Sequence, residues 1–95
     1  MKVRKSKDIQ SCLLKKGFQL TTEKYHHQYY HLFIDGKKQA VYTYFSHGLK
    51  DYDKTLMSEI KKQLKFKDVT KAEAFFDCTM SGEKYIEMLL ENNEL

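Results

Sequence analysis

Two β-prone runs, HHQYYHLFI and KKQAVYTYFS, meet at Asp35-Gly36, the dipeptide favoured by a two-residue type I′ hairpin. With Ile34 opposite Lys37, the implied register sets His26 against Phe45, His27 against Tyr44, Tyr29 against Tyr42 and Tyr30 against Val41. Side chains alternate across a strand, so His26, Gln28, Tyr30, Leu32 and Ile34 share one face with Val41, Thr43 and Phe45. The other face holds His27, Tyr29, His31 and Phe33 with Ala40, Tyr42 and Tyr44. The first face carries the aliphatic residues and is expected to pack on helices. The second is aromatic, polar-tipped and expected to be partly open to water.

Around this hairpin the periodicity turns helical. Ile9, Cys12 and Leu13 recur at helical spacing between Ser6, the expected N-cap, and the stop signal Gly17. FQLTTEK, after that glycine, has the character of a short strand. Asp53 is placed to cap an amphipathic helix from about Lys54 to Lys65, with Leu56, Met57, Ile60 and Leu64 on one face and Lys61, Lys62 and Lys65 projecting elsewhere. TKAE, Thr70 to Glu73, has capping-box spacing ahead of Phe75 and Phe76, and Ser81 precedes a last helix bearing Tyr85, Ile86, Leu89 and Leu90. The expected fold is a single α/β (α+β) domain over residues 1–95 in α-β-β-β-α order, with a core over about residues 6–66 and a C-terminal helical extension over about 70–92.

Length agrees with one domain, since 95 residues close a single core but not two. There is no proline, repeat or low-complexity tract to mark a linker. No run approaches the roughly 18–20 apolar residues of a membrane span, and MKVRKSKD is charged without an apolar stretch behind it, so a soluble, cytoplasmic protein is expected. Cys12 and Cys78 lie far apart in the sequence without metal-ligand spacing, each in a helical, partly apolar stretch, and are expected to be free buried thiols.

Charge changes the picture more. Residues 1–24 carry seven Lys/Arg against two acids and residues 54–71 six Lys against two, whereas from residue 72 onward there are six acids and one Lys. A basic part with an opposing acidic end suits a protein that meets a polyanion with one surface, although an ordinary lysine-rich surface has the same composition.

His26 and His27 are adjacent on the expected strand and so point to opposite faces, which disfavours a shared metal. His27 and His31 share a face but lie roughly 13 Å apart along it. Asp51-x-Asp53 lacks a supporting acidic cluster, and Asp53 serves as a helix cap, so neither a metal nor a cofactor is expected. His27, beside Tyr29 and across from Tyr44, is the histidine able to take a proton from a hydroxyl, although a lone strand histidine is more often surface filling. Displayed rings beside lysines suit stacking on unpaired bases, and equally suit burial beneath helices or a partner chain.

The pattern KKGFQL, then HHQYYHLFIDGKK, then SHG, then TLMSEIKKQLKF resembles the HicA (YcfA-like) toxins, over roughly Ser6 to Phe66. It is most similar to a subset ending in DC..S.EKYIEML, here DCTMSGEKYIEML. The resemblance implies a double-stranded-RNA-binding-domain-like fold and a toxin of a type II toxin-antitoxin system. That toxin would be a metal-independent endoribonuclease that cleaves mRNA with one strand histidine and is neutralised by a HicB-like antitoxin. The family's Gly-Ser-His motif falls at Lys24-Tyr25-His26 or, one residue on, at Tyr25-His26-His27.

On this reading His27 is the general base on a ribose 2′-OH, with His26 the alternative centre and His47 a second proton carrier or a turn residue. Tyr29 and Tyr44 stack on bases, and Lys61, Lys62 and Lys65 meet phosphates. The rival expectation is a non-catalytic RNA- or protein-binding module on the same fold. A third is a homo-oligomer that closes its own aromatic face.

Overall fold

The computed structural model describes residues 1–95. In chain order the elements are β1 (Arg4–Lys5), α1 (Ser6–Lys15), β2 (Phe18–Lys24), β3 (His27–Ile34), β4 (Lys37–Ser46), β5 (Asp51–Tyr52), α2 (Lys54–Gln63), α3 (Val69–Phe76) and α4 (Gly82–Glu91). The molecule is an α+β domain. An antiparallel sheet of order β2-β3-β4 has its apolar face under the helices, and a short ribbon pairs β1 with β5. The α-β-β-β-α order holds, and the ribbon is an addition to it. Arg4 pairs with Tyr52 and Lys5 with Asp51, fastening the entry to α1 onto the entry to α2.

That ribbon displaces the expected cap of α1. Lys5 occupies the N-cap position without a side-chain hydrogen bond, while Ser6 begins the helix, donates its amide to Lys50 O at 2.8 Å and accepts from Gln10 Nε2 at 2.9 Å. Lys50 takes up the Ser6 amide, and the cap position falls to Lys5, whose side chain has no acceptor. Asp53 does cap α2, accepting from Leu56 N at 2.9 Å, but the helix ends at Gln63 because Lys65 takes a left-handed φ of 69°. The TKAE capping box does not form. Asp68 is the N-cap of α3, accepting from Thr70 N at 2.7 Å, and Glu73 is drawn to Arg4 instead. Ser81 caps α4 as expected, accepting from Lys84 N at 3.1 Å. Met88 joins Tyr85 and Leu89 in the core, whereas Ile86 is half-buried and Leu90 is exposed.

The last two helices are part of the same core. Ala72, Phe75, Tyr85 and Leu89 are fully buried with Phe18, Leu32, Phe45 and Leu64. Tyr85 sits with its ring centroid 4.9 Å from Phe75, 5.3 Å from Phe66 and 5.9 Å from Phe18, and its hydroxyl donates to Leu64 O at 2.8 Å.

The N-terminus is tied to this layer by Arg4, whose Nη2 reaches Glu73 Oε2 at 2.7 Å and Asp77 Oδ1 at 2.8 Å while its guanidinium lies over the Phe76 ring. Hydrogen bonds from Arg4 hold the Glu73 and Asp77 carboxyls below their usual range. Arg4→Met is therefore expected to cost about 1–3 kcal/mol near neutral pH. A depressed carboxylate pKa gives stability that is present above the unfolded value and lost as pH falls through the folded one. The gap in Tm between wild type and Arg4→Met should accordingly shrink as pH drops below about 4. A gap independent of pH would remove the ion pair as its cause.

No helix is long and apolar enough to cross a membrane.

Candidate nucleic-acid interface

Asp35 and Gly36 both have positive φ, 51° and 77°, and form the expected hairpin tip with Ile34 opposite Lys37. Beyond Phe33 and Lys38, however, the register shifts by two residues. His31 pairs with Tyr42, Tyr30 with Thr43, Tyr29 with Tyr44, Gln28 with Phe45 and His27 with Ser46. The expected pairings are thus wrong by two positions, because extra β4 residues bulge opposite Leu32. A shift of two preserves alternation, so the two faces are as the sequence implied: Tyr30, Leu32, Val41, Thr43 and Phe45 are buried, and Tyr42 and Tyr44 remain exposed.

His26 departs further from expectation. It belongs to no strand, and with Tyr25 it forms a two-residue turn between Lys24 and His27, both residues left-handed, at φ 51° and 65°. Neither is a residue such a turn favours, so conformational strain is stored directly before His27. Tyr25→Asn combined with His26→Gly supplies the preferred residues and is expected to raise stability by about 1–2 kcal/mol, read as a higher Tm. Unchanged or lower stability would mean that the side chains at this turn offset its strain.

The open face is a connected set of rings. His27 meets Tyr44 edge-on at 5.2 Å and Tyr29 at 6.3 Å; Tyr29 meets Tyr44 at 5.5 Å and Tyr42 at 6.2 Å; Tyr42 stacks on His31 at 5.1 Å. Pairing places Lys24 beside His27 and Lys38 beside Phe33, one lysine at each end of the face, with the Lys24 ammonium 5.1 Å from the Tyr25 ring centroid and the Lys38 charge felt at His31. Of the remaining β2 residues, Gln19 lies opposite His31 and Thr22 opposite Tyr29. No Asp or Glu of these strands falls on this face, since Glu23 pairs with Gln28 on the other.

Thr21 is the residue that sequence reasoning missed. It is the extra residue of a bulge in β2, where Leu20 pairs with Tyr30 and Thr22 with Tyr29. Its hydroxyl donates to Tyr29 O at 3.2 Å and lies 2.7 Å from His31 Nδ1. The Thr21 hydroxyl thereby fixes the orientation of the His31 ring and leaves Nε2 pointing away from it. Burial, and then the charge of Lys38, lower the His31 pKa. NMR titration should therefore show His31 protonating below the usual imidazole value. A lowered folded pKa gives stability that is present above the unfolded value and lost as pH falls towards the folded one, so protonating His31 should weaken the fold. A His31 titration above the usual value would contradict its burial and the nearness of Lys38. No bulge signal marks Thr21 in FQLTTEK, so only the pairing reveals it.

The structure brings His27, Tyr29 and Tyr44 together on this face. Lys61, Lys62 and Lys65 are carried by α2 and the turn after it, whose buried Met57, Ile60 and Leu64 pack against the opposite, apolar side of the sheet. His47 follows β4, and its amide donates to His26 O at 2.8 Å, so the two turns adjoin at the His27 end of the sheet. A shallow groove of about 110 Å³ starts at Tyr44 and Ser46 and runs to Leu56 and Gln63 of α2. The largest cavity, about 570 Å³, lies elsewhere, between α1 and residues 48–51; Lys5, Lys7 and Lys50 line it, but no ring does. No cluster of three or more His, Cys, Asp or Glu side chains is arranged to hold a metal ion.

Comparison with family models, curated proteins and solved structures finds no match to this chain.

Proposed function

We propose that the open face of the β2-β3-β4 sheet binds single-stranded RNA, and that the chain is a HicA-like toxin that cuts RNA at the His27 end of that face. The observation that carries this reading is the run of His and Tyr rings bordered by Lys24 and Lys38, with no sheet carboxylate facing it. Bases stack on rings regardless of sequence, and the ammonium groups meet phosphates that a carboxylate would repel. The left-handed pair Tyr25-His26 stands where the Gly-Ser of the HicA motif would fall if His27 is its histidine, and glycine suits such a turn. This supports His27 over His26 as the general base. The resemblance adds a HicB-like antitoxin as partner.

Binding of a labelled oligoribonucleotide at several salt concentrations tests the surface. Affinity should fall as salt rises, and Lys24→Ala with Lys38→Ala should flatten the log–log slope by about 1.4, at roughly 0.7 per phosphate contact on a single strand. Joint neutralisation of Lys61, Lys62 and Lys65 should change it less. The reverse order would move the RNA to the helical side.

One observation favours binding without cleavage. The His27 ring makes ring contacts with Tyr29 and Tyr44 but no hydrogen bond that would orient it, in contrast to His31. RNA retained intact at saturating protein, in EDTA, would decide for that module.

A further inference from the structure

The first and third helices meet at a single carbonyl. Phe75 O accepts from Cys12 Sγ at 3.2 Å, from Cys78 N at 3.3 Å and from the Nζ of the buried Lys16, whose ammonium also lies 4.3 Å from the Phe75 ring centroid. Groups held by one oxygen are close to one another, so the Cys78 backbone adjoins the Cys12 thiol. Cys12 is buried as expected, but Cys78 is exposed, because it follows the last turn of α3 with a left-handed φ of 64°. The start of α4 closes the same corner, where a β-carbon on Gly82 would come within 3.1 Å of Lys16 O. A buried cysteine and an exposed one therefore adjoin where three helices join.

We propose that Cys12 and Cys78 are a disulfide-forming modification site, closed by a low-molecular-weight disulfide such as oxidised glutathione. The Cys78 thiolate attacks one sulfur of the oxidant, the oxidant's S–S bond breaks, and a glutathione thiolate leaves and takes up a proton. Cys12 then gives its proton to solvent, attacks the Cys78 sulfur and expels the second glutathione. Two protein thiols are oxidised to one disulfide, and one oxidant disulfide is reduced to two thiols. The order follows from exposure, since an oxidant reaches Cys78 first. Burial pushes the Cys12 thiol up to about 11, while the nearby Lys16 ammonium favours its thiolate once the mixed disulfide is in place.

Closure would bridge α1 to the α3–α4 corner across a long chain segment, residues 12 to 78. Such a cross-link restricts the unfolded chain strongly and is expected to raise Tm by about 10 °C.

The test incubates the folded, fully reduced chain with oxidised glutathione and follows intact mass and Tm. The expected product has lost two hydrogens, yields one linked peptide pair containing Cys12 and Cys78, melts higher, and reverts with dithiothreitol. Cys78→Ser, at an exposed position, should remain folded and leave Cys12 unreacted; Cys12→Ala should stop at a stable glutathione adduct on Cys78. A wild-type chain that also stops at that adduct, or forms only intermolecular disulfides, would overturn the proposal. So would modification of Cys12 in the folded Cys78→Ser variant.

Discussion

His27→Ala is expected to lower the rate of single-stranded RNA cleavage by about 10²–10⁴-fold, the usual contribution of a positioned general base, while RNA affinity changes little. His27 sits at the end of the ring platform, edge-on to Tyr44, and is only half-buried, so truncation should leave the fold intact. On the proposed mechanism, in which the attacking oxygen comes from the ribose, cleavage by wild type should proceed in EDTA, require a 2′-OH at the cut site and give a product with a cyclic phosphate. His31→Ala should reduce cleavage far less, since roughly 13 Å of strand separates the two rings. His26→Ala should also be mild, because His26 is exposed in the turn. Loss of cleavage in His26→Ala with activity kept in His27→Ala would transfer the base to the turn histidine.

Tyr85→Ala is expected to destabilise the domain by about 3–5 kcal/mol, a large part of what a chain of this size has. Its ring is fully buried against Phe18, Phe66 and Phe75, and its hydroxyl satisfies the Leu64 carbonyl at the end of α2. Truncation therefore removes packing from β2, from α3 and from Phe66 in the segment between α2 and α3, and leaves a buried acceptor unpaired. Tyr85→Phe separates the two contributions and should cost only about 1 kcal/mol. The measurement is chemical denaturation of the three proteins. A loss below about 1 kcal/mol for Tyr85→Ala would mean that α4 docks on the sheet without supporting it.

The faces of the β3-β4 hairpin were legible because alternation has a period of two and the bulge added residues in an even number. The pairings were not legible, since a bulge opposite Leu32 leaves no local mark in KKQAVYTYFS. The β1–β5 ribbon was hidden for a related reason: two-residue strands have too few positions to show a period, and pairing alone defines them. Tyr25-His26 was assigned to no turn because the sequence signal for left-handed pairs is Asn, Asp or Gly, and tertiary pairing of β2 with β3 overrides it here. Among candidate site residues, His27, Tyr29 and Tyr44 could be grouped by alternation. Lys38 follows from the hairpin tip, which keeps Phe33 opposite it, whereas Thr21 and Lys24 required the register of β2.

The most direct measurement of where RNA meets the protein is an ¹⁵N-labelled NMR titration with a short single-stranded oligoribonucleotide carrying a deoxyribose at the cut site, so that binding is seen without cleavage. If the open sheet face is the binding surface, the largest shifts fall on Lys24, His27, Tyr29, His31, Tyr42 and Tyr44, with α2 little affected. Shifts confined to Lys61, Lys62 and Lys65 or to the cavity beside Lys5 and Lys50, or no shifts at low salt, would contradict it.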